Sequence, residues 1–141
     1  MRVATAQSTA PAQTAVPTVT PTPSLSPRLV AAVVRGQRIV VPCPSWCVVD
    51  HAAEDVAFLE DLSHAGEAAA LPVRQFDGSV ERILAAQVVQ WPFAREGEAY
   101  LSVDADGSGE CNQYRAAAAL AFADQLVAHA EKIRRLVGAL R

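Results

Sequence analysis

With 141 residues and a net charge of −3, the chain has the length of one domain and the wrong sign for a protein built mainly to grip phosphate backbones. Its most apolar stretch, Leu29–Val34 followed by Ile39–Val41, falls far short of the ~18 consecutive apolar residues that suggest a membrane span, and no apolar run after Met1-Arg2 resembles a secretory signal. Three cysteines cannot all pair, which rules out a complete disulfide framework and favours a reducing, cytoplasmic setting.

Residues 1–27 are rich in Pro, Thr and Ala, with prolines at 11, 17, 21, 23 and 27. Proline removes backbone donors, and the small side chains offer too little apolar surface to offset chain entropy, so a disordered tail is expected there. Residues 28–141 then form a single α+β domain. It holds 15 acidic and 11 basic residues, Arg2 being the only charge in the tail.

Within that domain, Leu29–Val34 and Ile39–Val41 read as strands joined by a turn at Arg35–Arg38. Pro42–His51 forms a Cys-containing knuckle. Ala53 to His64 has helical spacing, with Val56, Leu59 and Leu62 on one side and a stop at Ala65-Gly66. Leu71–Phe76 is a strand closed by Asp77-Gly78. Val80–Trp91 is a longer strand whose alternation slips near Leu84–Ala86, predicting a bulge. Tyr100–Asp104 alternates cleanly, Leu101 and Val103 facing one way and Tyr100 and Ser102 the other. From Tyr114 to Leu140, Ala119, Phe122, Leu126, Ile133 and Val137 recur at spacings of three and four, predicting a long amphipathic helix. The expected architecture is a small antiparallel sheet with a Cys/His knuckle and this helix packed on it.

Four of the six Cys and His residues fall between positions 43 and 64: Cys43, Cys47, His51 and His64. Zinc takes four N or S donors in a tetrahedron, and a C-x3-C turn with His51 three residues further on suits it. The x12 gap from His51 to His64 is wider than usual, and Cys111 is an alternative fourth ligand. Pro42 and Pro44 stiffen the knuckle, and Trp46 is placed to shield a metal. The competing account makes Cys43 and Cys47 small buried hydrophobes, but the clustering of most of the soft donors favours a structural zinc. Six carboxylates lie between Asp50 and Glu67 with no Lys or Arg. Asp50 or Asp61 would serve as a base beside an open catalytic zinc, and a carboxylate by His51 could instead orient it; a solvated acidic face accounts for them more simply.

Asp104–Gly109 matches the first half of an EF-hand loop, D-x-D-x-S-G, but position twelve is Arg115 where a bidentate Glu is required, so a strand-ending turn is the better reading. Lys132, Arg134, Arg135 and Arg141 crowd the end of the last helix, where cations complement the helix dipole.

Cys43-Pro44-Ser45-Trp46-Cys47, Asp50-His51, Asp61-Leu62-Ser63-His64 and the Ala/Leu-rich final helix together resemble a family of short actinobacterial proteins classed only as a domain of unknown function. That family has a C-P-x-W-C…H…H opening, central strands and a C-terminal helix. The resemblance spans roughly residues 40 to 137 and implies the fold without an activity. Taken together, the residues favour a zinc-stabilised interaction or regulatory module, with an unidentified protein partner and a monomeric or homodimeric state. A metal-dependent hydrolase with one open coordination position is the alternative, and nucleic acid is disfavoured as a partner.

Overall fold

A computed structural model describes residues 26–140, so the expected tail lies, but for its last two residues, outside the described residues. β1 (Arg28–Val34) and β2 (Gln37–Cys43) form an antiparallel hairpin in which Arg28 stands opposite Cys43 and Val34 opposite Gln37. Only Arg35 and Gly36 make the turn, at φ 51° and 74°. Two consecutive left-handed residues are what a tight hairpin with right-handed strand twist requires. A short β3 (Asp55–Val56) adds to β1 in parallel, giving a three-stranded sheet in the order β2-β1-β3. Val30, Ala32, Ile39 and Val41 share one face of it, and the buried Leu62 and half-buried Phe93 pack over that face.

The helix expected over Ala53–His64 does not form. In its place are β3, a single 3-10 turn at Leu59–Asp61 and β4 (His64–Ala65). The reason is geometric. Twelve helical residues would hold Ala53 and His64 roughly 17 Å apart, whereas the rings of His51 and His64 meet. The apolar spacing that suggested a helix serves the core instead: Leu62 is buried and Val56 half-buried against it.

The second sheet is antiparallel. β4 and β5 (Ala69–Arg74) both pair with one edge of β6 (Val80–Gln90), which pairs with β7 (Ala99–Asp104), and β7 with β8 (Cys111–Tyr114). The expected bulge is present. Between Ala69↔Ala86 and Leu71↔Ile83 the β6 strand carries one extra residue, and Leu84 sits there at φ 50°. Register places Ala86, Val88, Leu101, Val103 and Tyr114 on one face, which confirms the alternation read along 100–104. Strand β8 occupies residues the sequence pattern left between the Gly-rich loop and the helix.

α1 (Ala116–Gly138) is the long C-terminal helix. It rests on the second sheet through its first two turns, where Tyr114 stacks on Phe122 with ring centroids 5.1 Å apart. Arg115, at its start, pairs with Glu96 and Glu98; all three are well exposed, so the pairs contribute little. The expected buried stripe is not buried. Leu126 is 37% exposed, Ile133 48% and Val137 49%, because the helix leaves the sheet before reaching them. Among the described residues no helix is long and apolar enough to cross a membrane.

Candidate metal centre

Cys43 ends β2, Cys47 follows in a turn closed by its own N–H to the Pro44 carbonyl (3.1 Å), and His51 lies in the loop that leads to β3. The loop is held to the first sheet by the Val33 N–H donating to the His51 carbonyl (3.1 Å). His64 comes from β4, a strand of the second sheet. The four candidate donors therefore join the two sheets. Beside them the Val48 N–H donates to the Ala65 carbonyl (2.9 Å) and the Gly66 N–H to that of Val88 (2.8 Å), fixing β4 against the knuckle. Gly66 lies against the Trp46 indole and Val88, where an added Cβ would make ordinary contacts of 3.6 and 3.7 Å. Trp46 lies edge-on to His64, centroids 6.4 Å apart, the covering position its spacing suggested.

All four side chains are buried, none more than 4% exposed. One donor atom from each lies within 4.8 Å of every other. His51 Nε2 stands 3.7 Å from Cys43 Sγ, 3.5 Å from Cys47 Sγ and 3.1 Å from His64 Nδ1. A tetrahedral zinc with Zn–S of about 2.3 Å and Zn–N of about 2.05 Å requires S···N edges of about 3.6 Å and N···N edges of about 3.3 Å. The three edges at His51 lie close to these lengths. These residues lie close enough to hold a metal ion.

Electrostatics agree with that chemistry. Burial pulls the pKa of His51 below the ordinary imidazole value; burial and the neighbouring His51 do the same to His64. Both rings are thereby held neutral, the form that ligates. At His64 the backbone of Pro42 works against this shift, but burial outweighs it. Burial raises the Cys43 thiol, opposed chiefly by the Arg28 guanidinium beside it. A divalent cation would supply the charge that thiolates need here, and two thiolates with two neutral imidazoles around it make a neutral, buriable group.

Arg28 is a site residue that sequence reasoning missed. Its Nη2 donates to the Cys47 carbonyl at 2.9 Å, and hairpin register sets it opposite Cys43. The signal was the turn: a two-residue turn at Arg35-Gly36 aligns position 28 with 43, while a four-residue turn at Arg35–Arg38 shifts the pairing by two. Cys111 does not join the cluster; it is exposed on β8 with its thiol toward the Gly109 carbonyl. Asp50 spends its carboxylate on the Ala52 N–H (3.1 Å), and Asp61 is exposed on the 3-10 turn.

The EF-hand-like loop is a hairpin connection that satisfies itself. Asp104 accepts from the N–H groups of Asp106, Gly107 and Gly109, and Asp106 from that of Ser108. The oxygens that would face a calcium ion are occupied by backbone donors. Asp104→Ala should therefore lower stability by about 1–2 kcal/mol through orphaned N–H groups at a partly solvated loop, and calcium should leave the wild-type melting temperature unchanged; thermal scans with and without calcium check both.

No curated protein and no solved structure matches the chain. A family does match, over residues 9–141, a longer span than the residues 40 to 137 on which the resemblance rested. The match covers nearly the whole chain, and the protein belongs to the family described as Domain of unknown function (DUF6907).

Proposed function

We propose that the protein is a zinc-stabilised interaction module, in which Cys43, Cys47, His51 and His64 hold one structural zinc at the junction of the two sheets. The observation that carries this reading is the set of four buried donors within 4.8 Å of one another, the three distances from His51 lying close to the edges of a tetrahedral zinc site. An S2N2 donor set of this shape selects zinc over the hard, oxygen-seeking cations. The ligand count also separates structure from chemistry. A catalytic zinc keeps three protein ligands and an open position for water or substrate; here four donors converge, all buried, and neither Asp50 nor Asp61 offers a free carboxylate inside the cluster. That count favours the structural reading over a hydrolase with an open coordination position. Reduced thiols at such a site fit a cytoplasmic location, where glutathione keeps cysteines from pairing.

Protein purified without a metal-affinity tag should contain one zinc per chain by elemental analysis. Replacement by cobalt should produce the intense visible bands of a tetrahedral, thiolate-ligated ion. Metal-free protein that keeps its full melting temperature, or a cobalt spectrum of octahedral type, would overturn the reading.

A further inference from the structure

α1 carries more apolar surface than the sheet beneath it uses. From Ala119 to Leu140 the positions Ala119, Ala123, Leu126, Ala130, Ile133, Val137 and Leu140 recur at alternating steps of four and three, the 3.5-residue period of a helix–helix seam rather than the 3.6 of a helix on a sheet. Counting 100° per residue, the apolar arc runs about 140° from Leu136 round to Ala123, with His129 inside it and Arg134 at its edge, wider than the ~100° stripe with which a surface helix covers one face. No described residue of α1 is buried.

Where the C-terminal half of α1 leaves the sheet, it opens an apolar groove of about 500 Å³, walled by Leu126, Ala130 and Ile133 and floored by Leu71, Leu84 and Ala86. His129 is its one titratable lining residue. Beside the groove Leu136 on the same helix and Leu140, two residues past its end, raise a ridge, 70% and 84% exposed. A groove and an apolar ridge on one chain are the two halves of a self-complementary surface, which is what a two-fold dimer requires. The exposed parts of Leu71, Leu126, Ile133, Leu136, Val137 and Leu140 amount to about 650 Å² per copy, within the ~600–1,000 Å² that each partner gives to a stable interface and above the usual patch on a monomer.

We propose that a second copy of this chain occupies the groove, the α1 helices pairing through their C-terminal halves from Leu126 onward, with each ridge seated in the other copy's groove. A different protein on this face is the competing occupant, and it predicts a monomer in purified solution.

The test is sedimentation of the full chain over a hundredfold range of concentration, with thermal unfolding at both ends of the range. A dimer that dissociates on dilution, and a melting midpoint that rises with concentration, are expected. Ile133→Glu, which sets a carboxylate into the seam, should weaken dimerisation about a hundredfold or more. Arg135→Glu, outside the apolar arc, should change it less than about threefold. Far-UV circular dichroism establishes that both variants keep the helix. A monomer at every concentration overturns the proposal whatever the variants do. A dimer that Ile133→Glu leaves intact overturns it as well, since the interface then lies elsewhere.

Discussion

Chelation of the metal should collapse the protein's cooperative stability, lowering the melting midpoint by tens of degrees or abolishing the transition. The expectation follows from where the four donors sit. Three belong to the first sheet and its following loop, and His64 belongs to the second, so a bound ion closes a chain loop and clamps two sheets. The remaining link is slight: Leu62 and Phe93 over the first sheet, and the hydrogen bond from Val48 to Ala65. Structural zinc contributes about 10–16 kcal/mol of apparent binding energy in small peptides at neutral pH, while a whole domain of this size is stable by about 5–15 kcal/mol. Losing even half the metal term, about 5–8 kcal/mol, is comparable with the whole stability of a domain in the lower half of that range. The measurement is thermal unfolding by circular dichroism, before and after a strong chelator and after restoring zinc. His64→Ala, which removes the only donor from the second sheet, should reproduce much of the chelator's effect, and zinc should no longer rescue fully. An unchanged midpoint after verified metal removal would mean that the sheets hold together by packing alone.

The candidate centre was legible in the sequence because its residue types are scarce. Four soft donors within a short, proline-stiffened stretch point to a shared ion more strongly than to ordinary core packing. Its geometry was less legible. A helix over 53–64 and a ligand at His64 were both expected, yet a rigid rod of that length carries His64 away from His51. The spacing that places Val56 and Leu62 together records only that these residues share an apolar neighbour; the meeting of His51 and His64 is incompatible with the rod. Arg28 was hidden for a related reason, since its place beside Cys43 depends on the hairpin's register and the register depends on turn length. The bulge at Leu84 was visible as a slip in alternation because a bulge changes which face each later side chain takes. For α1, periodicity identified the apolar side and was silent on what covers it, a question of tertiary distance that no local pattern contains.

The same contrast yields a paired prediction. Leu62 is 2% exposed and packs with Ala32 and Val41 under the half-buried Val30, Ile39, Val56 and Phe93. Leu62→Ala removes three buried carbons from a core with few members, and the backbone around it is pinned by the Leu62 N–H to the Leu59 carbonyl and by His64 two residues on. Little collapse into the void is available, so the cost should fall in the upper part of the ~2–5 kcal/mol range for such truncations, a drop of roughly 10 °C or more in melting temperature. Leu126→Ala touches a side chain already 37% exposed beside an open groove. There the cavity term is absent and part of the transfer term is lost already, so the cost should stay below about 1.5 kcal/mol. The comparison is made at high dilution, where a seam between copies contributes nothing to either variant. Equal losses under those conditions would show that α1 closes on its own sheet in solution, and that the groove beneath it is filled by the chain itself.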